Sequence, residues 1–191
     1  IDGDRIVIGA PGGEFDLGGV PLPGGLAYLF ERVDGTWEQQ FFFRGFGVAW
    51  PNNFGWSVAI DGDTIAVSAP GEDEWAGAVY VFSKSGPLWY EQARLDAFNR
   101  EASDCFGGFF TPSSIDISGD IIVVGAPDES SASSGVNGDP YNNGAWQSGA
   151  AYVFTRVNGV WNLSTYVKAS NTGTEDRFGC GVGVDDGLIV V

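Results

Sequence analysis

Apolar residues along this chain come in short runs, each closed by a turn signal before a helix could gain length. The segment 54–95 shows the pattern most plainly. Gly55 to Ile60 reads as a first strand, and Asp61-Gly62 as a two-residue hairpin turn whose central residues both take positive φ. Thr64 to Ala69 is a second strand, stopped by Pro70, which has no N–H to give a ladder. Ala78 to Phe82 is a third, followed by a turn at Ser85-Gly86, and Trp89 to Leu95 is a fourth. The second and third strands do not alternate. Val79-Tyr80-Val81-Phe82, like Ile121-Ile122-Val123-Val124 further on, is apolar on both faces and demands cover on both. Four-stranded sheets stacked radially supply that cover. A linear β-solenoid is the alternative, but its repeats are usually shorter and poorer in tight Asp-Gly hairpins.

The pattern repeats. Tyr28-Leu29-Phe30, Tyr80-Val81-Phe82 and Tyr152-Val153-Phe154 are one element met three times, each followed at a fixed distance by Trp37, Trp89 or Trp161. A second fixed distance leads to Phe54-Gly55, Phe106-Gly107 and Phe178-Gly179. Gly9-Ala10-Pro11, Ser68-Ala69-Pro70 and Gly125-Ala126-Pro127 form a fourth landmark, but the interval from this Pro to the next Tyr is 17, 10 or 25 residues. Insertion is tolerated there, which marks an exposed loop. A smaller insertion falls at Phe109 to Ser113. Repeat segments of about 1–53, 54–105 and 106–177 follow, with the start of another at 178–191. The expected fold is an all-β propeller of four-stranded antiparallel blades, present as an incomplete arc of about three. Both ends fall inside apparent strands, as in a fragment, and apolar faces on the outer blades are expected to make such a piece poorly stable alone.

Phe-Gly, a hydrophobic hairpin, Gly-Ala-Pro and then Gly-Ala-x-Tyr-Val-Phe resembles the FG-GAP repeat of integrin α-chain propellers and of bacterial and algal surface proteins. The resemblance covers nearly the whole chain. It implies an extracellular role in adhesion or ligand recognition, a propeller usually of seven blades, and calcium in some blades. The family's calcium site, Asp-x-Asp-x-Asp-Gly-x-x-Asp, sits between the first two strands of a blade. Here that place holds only Asp61-Gly62-Asp63-Thr64 or Ser118-Gly119-Asp120-Ile121, too few oxygens for calcium's six to eight.

Composition sharpens this picture. Gly supplies 30 of 191 residues, as many tight turns require, and aromatic residues reach 14%, too apolar for a disordered segment. A net charge of −16 repels nucleic acid and anionic lipid, and no long apolar span is present for membrane insertion. Cys105 and Cys180 are not equivalent in the repeat and read as two buried small hydrophobes before they read as a bridge. With no His in the chain, a Ser-His-Asp triad and a His-based zinc site are excluded, and the sequence offers no catalytic residue. Paired glycosidase-type acids would have to come from loops of unequal length, a poor way to fix two carboxylates.

Chain direction places the loop between strands two and three on the same rim as the connection between blades. That rim gathers Glu14, Asp16, Glu72, Asp73, Glu74, Asp128, Glu129 and Asp139 with Glu101, Asp104, Glu175 and Asp176. These acids read as a solvated rim or as a face for cations or basic ligands. In the longest loop, Asn137-Gly138-Asp139-Pro140-Tyr141-Asn142-Asn143-Gly144 starts like a calcium loop, but Tyr141 interrupts it; Asx residues with glycine also form plain turns. Asp128, Glu129, Asn137 and Asp139 are the candidate metal ligands, with calcium as the one cofactor to consider. Trp37, Trp89 and Trp161 keep a strict phase and read as blade packing, whereas Trp50, Trp56, Trp75 and Trp146 do not recur in register. Trp75, Trp146, Tyr141, Glu72, Asp73 and Glu74 are the candidate ligand contacts. Asn162-Leu163-Ser164 is a glycosylation sequon, relevant to a secreted eukaryotic protein. The expected function is recognition of a protein or glycan outside the cell. The alternatives are a spacer in a large surface protein and an accessory propeller to a separate catalytic domain.

Overall fold

The computed structural model describes residues 1–16, 18, 21–45, 52–109 and 113–191, with the backbone alone for 15, 21 and 22. Strands β1 (Arg5–Ala10), β4 (Leu26–Val33) and β5 (Thr36–Phe43) form the first sheet, with the small hairpin of β2 (Glu14–Asp16) and β3 (Pro21–Pro23) inserted between β1 and β4. The second sheet is the antiparallel meander β6 (Val58–Asp61), β7 (Thr64–Ala69), β8 (Ala78–Ser85) and β9 (Leu88–Leu95). The third repeats it with β10 (Ile115–Ser118), β11 (Ile121–Ala126), β12 (Ala150–Val157) and β13 (Val160–Val167). The hairpin β14 (Gly183–Asp185) and β15 (Leu188–Val190) begins another. The protein is all-β, an arc of antiparallel blades, as the repeat predicts. Trp50 and most of the Phe109–Ser113 insertion lie outside the described residues.

The unalternating strands are explained by two cores, one on each side of the second blade. Ile65, Val67, Tyr80 and Phe82 face Ala27, Leu29 and Phe43 of the first blade. Their sequence neighbours Ala66, Val79 and Val81 face Ile122, Val124, Tyr152 and Phe154 of the third. Period-two geometry thus splits each run between two interfaces. Each fully buried Val, Leu, Ile or Phe contributes about 1.5–3 kcal/mol of transfer free energy, so stability resides between blades as much as within them.

The Phe-Gly and Gly-Ala-Pro elements join one blade to the next. Phe54 is fully buried, its ring edge-on to Tyr80 at 5.6 Å, and its N–H donates to Gly24 O of the preceding blade at 2.8 Å. Phe106 repeats this against Tyr152 at 5.3 Å, with its N–H on Ala76 O at 3.1 Å. A Cβ on Gly9 would lie 1.9 Å from Gly55 O, and one on Gly125 would lie 1.8 Å from Gly179 O. The two glycines of the motif meet backbone to backbone, and no larger residue fits both positions.

Trp89 and Trp161 are buried at the interfaces as their phase predicts. Trp89 packs edge-on to Phe43 of the first blade at 5.7 Å, and Trp161 donates its Nε1 proton to Gln92 Oε1 of the second at 3.0 Å. A cation paired across the strand covers each indole: Arg32 over Trp37 at 4.8 Å, Lys84 over Trp89 at 5.9 Å and Arg156 over Trp161 at 4.9 Å.

The hairpins between first and second strands differ from expectation. Asp61 pairs with Thr64, so the turn is Gly62-Asp63 and, of this turn, only Gly62 takes positive φ, +52°. That is the pattern of a type II′ turn. The two-positive-φ turn is found at Asp34-Gly35 and Asn158-Gly159. Likewise Ser85 pairs with Leu88, and the turn there is Gly86-Pro87. Held on the strand rather than in the turn, Asp61 reaches the next blade and accepts the Gly119 N–H. Asp2 accepts the Gly62 N–H at 2.9 Å, and Ser118 Oγ accepts the Asp186 N–H at 3.3 Å. One clasp at one phase links every pair of successive blades among the described residues.

Candidate ligand-binding rim

The opposite rim carries the variable loops. Segment 70–77 and the connector 96–105 are tied there by Ser103 N–H to Glu74 O at 3.0 Å and Cys105 N–H to Trp75 O at 2.8 Å. The long loop 127–149 and the connector 168–177 repeat these ties through Glu175 N–H to Trp146 O at 2.9 Å and Arg177 N–H to Gln147 O at 3.0 Å. Asp73, Glu74 and Trp75 all adopt positive φ, a strained run that these bonds hold in place.

Much of the acid on this rim is matched to cations. Arg94 contacts Glu72 at 2.9 Å, Asp73 at 3.2 Å and Asp96, while Arg100 bridges Asp73 and Asp96. Glu72 also accepts the Tyr80 hydroxyl proton at 2.8 Å, and burial with this carboxylate beside it pushes the phenol well above its ordinary range. Glu74 is exposed, as are Glu14, Asp16, Glu101, Glu175 and Asp176. The rim therefore holds an ordered network of both signs alongside its exposed acids.

Under the long loop lies a buried polar centre. Lys168 Nζ meets Glu129 Oε2 at 2.7 Å, with side-chain exposures of 0% and 2%. Ser148 Oγ accepts from the same ammonium at 2.7 Å, and Tyr166 and Asn99 donate to Glu129 Oε1 at 2.9 and 3.2 Å. Asn99 also accepts the Tyr152 hydroxyl proton and donates to Pro140 O, which fixes the loop tip to the connector. Burial pulls the Lys168 ammonium below its usual range while Glu129 opposes that shift.

The four candidate metal ligands are drawn to separate partners. Glu129 is committed to Lys168. Asp128 lies between the Cys105 thiol and Arg177, whose Nε is 3.7 Å away. Asn137 Oδ1 accepts the Tyr166 N–H at 3.0 Å, and Asp139 accepts the Tyr141 N–H at 3.0 Å in an Asx turn. Among the described residues no group of three or more acidic or cysteine side chains converges on one point. The hairpin position that holds calcium in integrin-type repeats does not fit the ion either, because Asp2 and Asp61 are turned onto backbone N–H groups of the next blade. Cys105 and Cys180 are both free, and burial followed by the Asp128 charge pushes the Cys105 thiol up to about 12.

The candidate aromatic contacts divide. Trp75 packs edge-on to Phe109 at 4.6 Å, and Phe109 stacks on Trp56 at 4.8 Å. Trp146 and Tyr141 stand out from the surface, 59% and 64% exposed. Tyr141 is joined by a residue the sequence reading passed over, Phe98, whose ring is perpendicular to it at 6.3 Å. Arg94, Arg100 and Lys168 were also missed as rim residues. Their signal was available: with only nine basic residues in the chain, each one in or next to a rim segment marks a paired acid.

Asp104 is buried on this rim, and its carboxylate accepts the Glu101 N–H at 2.8 Å. Burial, with Glu129, Glu101 and Asp128 adding to it, raises its pKa to about 7. An acid raised in the folded state stabilises fully below its unfolded value and loses that contribution as pH rises through the folded one. Stability is therefore expected to fall by up to about 4 kcal/mol between about pH 4 and pH 8 from this group. Urea titrations of the protein and of Asp104→Asn at both pH values check this: the variant, which keeps the acceptor, should show the smaller fall.

A model of the FG-GAP repeat family matches residues 48–82 and 89–154, more than half of the chain. No curated protein matches it.

Proposed function

The chain belongs to the FG-GAP repeat family, and on that premise we propose that it serves outside the cell as a recognition module that engages a protein or glycan ligand through one rim. FG-GAP repeats form a non-catalytic scaffold family typical of extracellular proteins. No helix among the described residues is long and apolar enough to cross a membrane. The observation that carries the reading is the contrast between the two rims. On the clasp rim, successive blades repeat one contact at one phase. On the other, loops of unequal length present Trp146, Tyr141 and exposed acids, while backbone bonds to the connectors hold them rigid. Rigid, variable loops on a constant frame are the usual arrangement of a binding surface.

The reading is tested by probing immobilised extracellular-matrix proteins and neutral and acidic glycans with the chain. A joint Glu74→Ala, Trp146→Ala, Glu175→Ala variant is expected to lose at least about tenfold in affinity for whatever is bound, and Glu38→Ala, on the outer strand β5, to lose none. Equal binding by both variants would place the function elsewhere on the molecule.

A further inference from the structure

Where the long loop meets β13 there is a cleft of about 320 Å³, lined by Phe98, Pro140, Tyr141, Leu163 and Tyr166 together with Asn137, Ser164 and Thr165. The volume lies at the small end of ligand pockets. No lining residue carries a formal charge, on a chain whose net charge is −16. Phe98 stands at 87° to Tyr141 and 88° to Tyr166, so its ring forms a corner with each of the two phenols. Phe98 is 49% exposed and Tyr141 64%.

The polar groups of the cleft are fixed. Asn137 Oδ1 is held by the Tyr166 N–H at 3.0 Å, which sets the plane of the amide and leaves Nδ2 as donor. The Ser164 and Thr165 hydroxyls lie 3.2 Å apart and serve each as donor or acceptor. The wall carrying Tyr141 is pinned by Asn99 Nδ2 to Pro140 O at 3.1 Å and Ser131 Oγ to Asp139 O at 2.7 Å. Little ordering is left for a ligand to impose.

An extended peptide has no free sheet edge to join at this end of β13. The chain's own residues 135–137 already lie there: Asn137 N–H donates to Tyr166 O at 2.8 Å, Lys168 N–H donates to Gly135 O at 2.8 Å, and Val136 bridges Val167. What remains is an uncharged corner with aromatic faces, one amide donor and two hydroxyls. From this we propose that the cleft binds a neutral sugar ring, its C–H face laid on Tyr141 or Phe98 and its hydroxyls bonded to Asn137, Ser164 and Thr165. This rests on the recognition reading above and names its ligand class.

The test uses saturation-transfer NMR on the whole chain with glucose, galactose, mannose, fucose and N-acetylglucosamine as probes, and glucuronic acid and a proline-rich peptide as comparators. At least one neutral sugar should receive saturation, the acid should not, and Tyr141→Ala should weaken the sugar by at least about tenfold. Phe98→Ala should do the same, while Tyr90→Ala, which removes an exposed tyrosine from β9, should leave it unchanged; the melting midpoint of Tyr141→Ala reports whether the loop stays folded. Sugar binding indifferent to Tyr141 and Phe98, or preference for the peptide or the acid, overturns the cleft assignment while leaving rim recognition standing. Array binding that is lost in the rim variant without any sugar signal does the same. Absence of every ligand from both experiments removes the recognition reading and the cleft with it.

Discussion

Lys168→Met is expected to cost the fold about 3–5 kcal/mol, more than most single changes to an exposed loop. The side chain is fully buried and its ammonium is the cation facing Glu129, which is itself only 2% exposed. Without it, Tyr166 and Asn99 still donate to the carboxylate, but a charge remains in a low-dielectric interior with no opposite charge in contact. Urea unfolding at pH 8 measures the loss. Pairing the change with Glu129→Gln should return most of the loss, since replacing both members of a buried ion pair is often nearly neutral. A single variant as stable as the parent at pH 8 would show that the pair does not anchor the long loop.

The second large effect is expected at Gly77. Its φ is +84°, and a Cβ there would lie 2.2 Å from Phe106 O, a backbone atom at the junction with the third blade. Alanine must pay the left-handed strain of about 1–2 kcal/mol and also push the junction apart, for a total of roughly 3–5 kcal/mol. Gly86, with φ of +59° and nothing within 4 Å of a Cβ, separates the two contributions. Gly86→Ala should cost only the strain. Comparable midpoints for both variants in denaturant titrations would mean that the junction has slack enough to absorb a methyl group.

Both effects depend on features that differ in how openly the sequence carries them. Phe54, Phe106, Trp89 and Trp161 were legible because a repeat must place the same side chain at the same interface each time. The strands of the second blade were legible because Ile65-Ala66-Val67 and Val79-Tyr80-Val81 are apolar on both faces, which only a sheet between two others can bury. The turn at Gly62-Asp63 was not, because Asp-Gly occupies the turn at Asp34-Gly35 but straddles its start at Asp61-Gly62, and only strand pairing separates the two. The rim network was hidden for another reason. Glu129 and Lys168 lie 39 residues apart, and an acid count cannot show which carboxylates have met a cation. Phe98 carried no signal as a lone apolar residue in a connector; its partner Tyr141 becomes adjacent only through the insertion.

The glycine-on-glycine junction also bears on how such chains lengthen. Every copy of the unit ends in the socket that the next copy's Phe-Gly requires, so an in-frame duplication creates its own matching joint at the moment it arises. Ser68 shows how far one joint can then drift. It stands where the other copies have glycine, its Cβ faces the place where Gly107 has none, and its hydroxyl accepts the Ser57 N–H at 2.8 Å. Gly107 is therefore required by a side chain, where Gly55 and Gly179 are required by the carbonyls of Leu26 and Ala150. The same glycine is kept for two different reasons, and a chain assembled by duplication can vary the socket while holding fixed the residue that enters it.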